Sequence, residues 1–182
     1  MRPMRRADKV CTDQGKIDDF LAHAHVGFLG LADSEYPYVV PVNFVWYRNK
    51  IYFHGAAEGK KADLMRNATS AAFTVCEEYG IMAGPVPAHT STAYMSVMIF
   101  GKAGCLIDRD EARDAMQQML DKYVPDYFNR PLARTHLEKY RSSKGSATAI
   151  YCLEPDMLTA KEQPLDEDKK YVPGMKAGRN EK

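Results

Sequence analysis

The chain has 182 residues, 45% of them apolar and 27% charged, a length and balance that suit one globular domain and argue against a disordered chain. Its 25 basic and 24 acidic residues leave a net charge of +1, which gives a nucleic-acid partner no support. The apolar runs are too short and interrupted for a membrane helix, and no apolar signal core follows the basic start at Met1 to Lys9, so a cytoplasmic protein with no membrane partner is expected.

Residues 1–13 read as a polar leader. Asp13 or Thr12 is placed to cap a helix over Gly15–Ala24, where Ile17, Phe20, Leu21 and Ala24 recur at helical spacing. Strand-like segments follow at His25–Ala32, Tyr38–Tyr47 and Lys50–His54, the last two joined by a tight turn at Arg48-Asn49. Pro41 denies its strand one donor, which predicts an edge position or a bulge. A helix is expected over Ala57–Asn67, with Asn67 as its stop, then a strand over Thr69–Glu77. A loop over 78–91, rich in Gly and Pro, is long for a compact domain. Thr92–Ile107 reads as a long strand bent near Gly101 and Gly104. Helices are expected at Asp108–Tyr123, with Asp108 as cap, and at Pro131–Ser142, before a last strand at Ala147–Leu153. The predicted domain is 1–162, and 163–182 reads as a charged, poorly ordered tail.

Six strands at short spacing, with tight turns and few helices, favour an antiparallel barrel over a parallel sheet. The early hairpins leave no room for crossover helices. Cys11, Cys76, Cys105 and Cys152 form no CxxC pair and read as small buried thiols in a reducing compartment. The five histidines show no zinc spacing, so no metal site is expected.

The chemistry concentrates between Tyr38 and Asn67. Lys60 and Lys61 fall in the first turn of a predicted helix, where the dipole disfavours cations. They are either a solvated pair or the partners of a bound phosphate, to which Gly55 to Ala57 leave an open approach. His54 ends a strand just before them, as a structural hydrogen-bonder or as a polar group beside the same ligand. Asn43 is the polar interruption of an apolar run, suited to a heterocycle edge or to a bulge. The spacing of Gly27 and Gly30 is not a dinucleotide fingerprint and is assigned to packing.

The string PYVVPVNF…IYFHGAAEGKKADLMRN, with YMSVMIFGKA, the leader RRADK and the late segment MLTAKE, resembles the flavin-binding split-barrel superfamily that includes pyridoxamine 5′-phosphate oxidase. It is most similar to the nitroimidazole-resistance (Nim) branch, over roughly Arg5 to Glu162. The resemblance implies a mainly β fold, a six-stranded antiparallel Greek-key split β-barrel with a few peripheral helices, working as a homodimer with two FMN sites at the interface. By position it assigns Val40, Pro41, Val42 and Asn43 to the isoalloxazine, Phe53 and His54 to the strand end that touches the flavin, Lys60 to the phosphate with Lys61 as helper, and Ser96 as a polar group of the flavin site. Gly59 stands where the oxidase carries a second phosphate-binding arginine, and the Trp- and Arg-containing end of the oxidase is missing, which argues against pyridoxamine-phosphate oxidation.

The function so implied is a flavin-dependent oxidoreductase that reduces nitroimidazoles or similar small acceptors, with His54 as the candidate catalytic group. The alternative is a non-catalytic split barrel that holds flavin or haem, with FAD or haem as the less favoured cofactors and His54, His89 or His136 as axial ligand. Phe44, Trp46, Tyr94 and Met98 are large residues beyond the needs of one small core, which also predicts pairing of two copies.

Overall fold

The computed structural model describes residues 4–66, 69–139, 141, 145 and 147–177. Among these, the strands are β1 (Val10–Cys11), β2 (Val26–Leu31), β3 (Tyr38–Asn43), β4 (Val45–Tyr47), β5 (Lys50–Ala56), β6 (Thr69–Met82), β7 (Ser91–Cys105) and β8 (Thr148–Gln163). The helices are α1 (Gln14–His23), α2 (Lys60–Met65), α3 (Arg109–Tyr123) and α4 (Arg134–Glu138). The antiparallel sheet runs β3-β2-β6-β7-β8-β5-β4, with β1 added beside β8.

The path therefore holds seven strands where six were expected, because Tyr38–Tyr47 divides at Phe44. Before Phe44 the chain pairs with β2; after it, with β5. These partners lie at opposite ends of the sheet, so one stretch of chain forms both edges and the sheet must curl until they meet at Phe44. The break is held by α3: the Phe44 amide donates to the Tyr123 hydroxyl at 2.9 Å, and the Phe44 carbonyl accepts from Lys122 Nζ at 3.1 Å. Pro41 lies in the terminal strand β3, as its missing donor requires.

The core fills the concave side. Leu29, Leu31, Phe44, Phe53, Phe73, Val97 and Ile99 meet there, closed by Ile17, Phe20 and Leu21 of α1 and Ala62 and Met65 of α2. Asp13 caps α1 by accepting from the Lys16 amide at 3.1 Å. Phe44, expected among surplus surface residues, is fully buried, and Trp46 packs on the same core while donating to Asp18 at 2.8 Å. A second core lies on the convex side, where Tyr52, Ile150 and Cys152 receive Ala112, Ala115, Met116 and Met119 of α3. Asp108 caps α3, accepting from the amides of Asp110 at 2.8 Å and Glu111 at 2.9 Å.

Several expected boundaries shift. The β6–β7 hairpin extends into the expected loop as far as Met82 and Ser91, with a register shift between Glu78 and Gly80, because the two strands keep pairing beyond the barrel, and a shorter connection over 83–90 remains. Strand β8 continues to Gln163 because β7 supplies partners along its length. Residues 164–177 are held to the barrel, where a poorly ordered tail was expected: Tyr171 donates to the Ile81 carbonyl and Ala83 to that of Lys169, each at 2.8 Å. Helix α4 is five residues long, shorter than the helix expected there. Asn67, the expected helix stop, lies outside the described residues. Cys76 and Cys105 are exposed rather than buried: Cys76 falls on the convex face of β6, and Cys105 is the last residue of β7. Among the described residues no helix is long and apolar enough to cross a membrane.

Candidate functional site

Strand alternation sets the site at the end of β5. Phe53 points into the core and is fully buried, while the next residue, His54, faces outward and is exposed. The Phe53 ring stacks on Tyr151 of β8, centroids 5.4 Å apart and planes 20° apart. Tyr151 is fixed in turn by donating to the Ala56 carbonyl at 2.8 Å. Lys61, from the first turn of α2, lies over this aromatic pair, its Nζ 5.7 Å from the Phe53 centroid and 5.6 Å from that of Tyr151. Gly55 makes the placement possible, since a Cβ there would collide with the Lys61 Nζ.

Burial lowers the Lys61 pKa from the ordinary lysine value, and no carboxylate among the described residues lies within ion-pair distance of it. His54 is also lowered, first by desolvation and then by the Lys61 charge, so its neutral form is favoured. The Lys61 ammonium thus fills the space that Gly55 leaves, and His54, on the other face of the strand, is near enough to sense its charge. An anion bound at Lys61 would favour the charged form of both.

Lys60 turns away from its neighbour. Its Nζ pairs with Asp33 at 2.6 Å and lies 5.6 Å from the Tyr38 ring centroid. Asp33, after the end of β2, has a side chain only 16% exposed and also accepts from the Ser34 amide at 2.8 Å. The carboxyl is held below the ordinary range, first by Lys60 and then by that amide. The helix-dipole argument loses its force here, since α2 has only six residues. Gly59 has a φ of 92°, a conformation costly for any side chain, which is a backbone reason for glycine where the oxidase carries arginine.

The other expected residues divide between two faces. Val40 and Val42 pack against the core, so only their backbone is available to a ligand on the convex side. Pro41 and Asn43 face outward, and so does Ser96 of β7. Ser96 pairs with Lys161 of β8 and His54 with Ile150, eleven residues apart along that strand, or about 36 Å at 3.3 Å per residue. One copy therefore does not bring Ser96 and His54 together.

Between these ends the convex face is apolar and open. Phe28 and Met98 are 45% and 41% exposed, and Val39 is 61% exposed. Pairing aligns Pro41, Phe28, Thr74 and Met98 in one row across β3, β2, β6 and β7. Sequence reasoning marked Gly55 only as part of an open approach and missed Asp33 and Tyr151 as site residues. Asp33 carried no local signal of a site role, because its partner lies 27 positions away.

The family model described as pyridoxamine 5′-phosphate oxidase matches residues 13–162. Among solved structures, the flavocytochrome Anf3 of Azotobacter vinelandii superposes with a TM-score of 0.75 at 21% identity, over 97% of this chain and 81% of that one. An FAD- and haem-binding protein of Mycobacterium smegmatis gives 0.69 at 20% identity, over 88% and 77%. A candidate 5-nitroimidazole antibiotic resistance protein of Bacteroides thetaiotaomicron gives 0.63 at 26% identity, over 84% and 85%. These likenesses establish the split-barrel fold. A search of curated proteins returned no match.

Proposed function

Since the chain belongs to the pyridoxamine 5′-phosphate oxidase family, we propose that it is a flavin-binding oxidoreductase with the flavin phosphate held at the Lys61 end of the barrel. The observation that carries the reading is the Lys61 ammonium, half-buried over Phe53 and Tyr151 in the gap that Gly55 leaves. The donor set suits a phosphate: a half-buried cation without a carboxylate partner among the described residues. Lys61 is the principal phosphate partner in this reading, because Lys60 is already paired with Asp33. FMN is the cofactor proposed first, and FAD the second choice.

A second copy completes the site. The apolar row through Phe28 and Met98 is the surface on which the two copies meet, and stable homodimers commonly bury more than about 2,000 Å². Ser96 and Asn43 of one copy then serve the flavin whose phosphate is held by Lys61 of the other, which resolves their separation within one chain.

The flavin supplies the electron transfer; the protein binds it, excludes water and orients the acceptor. His54 is the group placed to hold a proton for an acceptor such as a nitroimidazole. Similarity to the candidate resistance protein supports that acceptor class. Trp46, the only tryptophan, is committed to Asp18 of α1, which gives no support to vitamin B6 oxidation. The test is reconstitution of the apoprotein with FMN, FAD and haem, followed by absorption spectra and reoxidation by a nitroimidazole. Retained flavin that a nitroimidazole reoxidises supports the enzyme. Retained flavin or haem without turnover supports the binding-module reading; the Azotobacter flavocytochrome and the Mycobacterium FAD- and haem-binding protein are the reason haem is included. His136 is poorly set as a haem ligand, because its Nδ1 accepts from the Ala133 amide at 3.3 Å and leaves the proton on the outer nitrogen.

A further inference from the structure

We propose that Asp33 is a specificity-determining residue of the phosphate end: it neutralises Lys60 and sets the site against a doubly charged phosphate monoester. The proposal rests on the flavin reading above. Asp33 and Lys60 come from different parts of the chain, the β2–β3 turn and the first turn of α2, and meet at 2.6 Å. The contact is supported on both sides. The Ser34 amide donates to the other carboxylate oxygen at 2.8 Å, and the Lys60 ammonium lies over the Tyr38 ring. The Asp33 side chain is 16% exposed, so its charge is less screened than that of a surface carboxylate.

Lys60 and Lys61 are adjacent, yet they are differently committed. Lys61 faces the Gly55 gap, and Lys60 carries an internal anion. The pair of lysines therefore offers a ligand close to one net positive charge instead of two. A phosphate monoester, such as that of FMN, carries about −1.5 to −2 at neutral pH, with a second pKa near 6. Each phosphorus of a dinucleotide pyrophosphate carries a single charge. A fixed carboxylate on Lys60, the residue next to the binding cation in sequence, repels the dianion more than the singly charged group. Asp33 thus narrows the preference for FMN over FAD and leaves a flavin without phosphate unaffected.

The experiment is fluorescence titration of riboflavin, FMN and FAD into the apo full-length protein and into its Asp33→Asn and Asp33→Glu variants. The expected result is an FMN affinity raised about tenfold in Asp33→Asn, a smaller gain for FAD and no change for riboflavin. Asp33→Glu retains the charge and stays near wild type. An FMN affinity that is unchanged or lower in Asp33→Asn overturns the proposal, since Asp33 would then only position Lys60. Equal gains for all three flavins also overturn it, because the effect would lie in folding. A wild-type protein that binds none of the three overturns the flavin reading itself, a result distinct from failure of the Asp33 assignment alone.

Discussion

The Lys122 ammonium donates to the Phe44 carbonyl at 3.1 Å and lies 4.4 Å from the centroid of the Phe44 ring. Phe44 is the residue at which the two edges of the sheet meet, so this contact ties α3 to the closure of the barrel. The same ammonium reaches the carbonyls of Ala24 at 2.6 Å and Leu21 at 3.3 Å, which end α1. One cation thus joins α1, α3 and the strand break.

Lys122→Met keeps the stem and removes the three donors. Loss of stability by about 2–4 kcal/mol is expected, because partly buried carbonyls are left without their partner. Urea denaturation of the apoprotein measures it. A loss below about 0.5 kcal/mol would show that water replaces the ammonium at no cost.

The convex row predicts a dimer that charge can split. Met98→Glu or Phe28→Asp places a carboxylate on an apolar face that is already exposed in one copy, so the fold of each copy should survive. Light scattering should return a dimer for wild type and a monomer for either variant, with flavin lost in parallel. A wild-type monomer at micromolar concentration contradicts the two-copy site.

The His54 pKa is lowered below the ordinary 6.5 by burial and by Lys61. Between the folded value and 6.5 the unfolded chain binds more protons than the native one, so the stability contributed by this group rises with pH through that window. Above 6.5 the penalty is gone; below the folded value it is present in full. In Lys61→Met the His54 midpoint should move up toward 6.5, as followed by proton NMR. An unchanged midpoint would mean that the two groups are not coupled. A phosphate bound at Lys61 should also raise the His54 midpoint, detected as proton uptake in calorimetry across buffers of different ionisation enthalpy.

His54→Ala tests the chemistry separately from binding. The prereduced, flavin-loaded variant should be reoxidised by a nitroimidazole about 10²–10⁴-fold more slowly in stopped flow, with flavin still bound. A wild-type rate per bound flavin, with lower thermal stability, would assign His54 to structure instead.

Much of the barrel was legible in the sequence. Apolar, β-branched segments and tight turns located the strand regions of the sheet path, with β3 and β4 read as one, and Asp13 and Asp108 fixed two helix starts. What was not legible depends on contacts remote in sequence. The division at Phe44 is set by Lys122 and Tyr123, 78 and 79 positions away. The extension of β8 depends on pairing with β7, and the placement of residues 164–177 on contacts with Ile81 and Ala83. The site followed the same rule. Local pattern drew attention to His54 and the lysine pair, but which lysine faces the Gly55 gap was decided by Asp33, Phe53 and Tyr151.

The central claim is that Lys61, seated in the Gly55 gap, holds the flavin phosphate. Its most direct measurement compares FMN with riboflavin in titrations of the apo wild type and the Lys61→Met, Lys60→Met and Gly55→Ala variants. Loss of a charge-assisted phosphate contact costs about 1.5–3 kcal/mol, or roughly ten- to a hundredfold in affinity. Lys61→Met should weaken FMN by that factor and leave riboflavin unchanged. Gly55→Ala should act in the same direction, because the new Cβ displaces the end of the Lys61 side chain. Lys60→Met should weaken FMN less than Lys61→Met does, since it uncovers the Asp33 charge without removing a direct phosphate contact. Equal FMN affinities for wild type and Lys61→Met, or a larger loss in Lys60→Met than in Lys61→Met, would contradict the assignment.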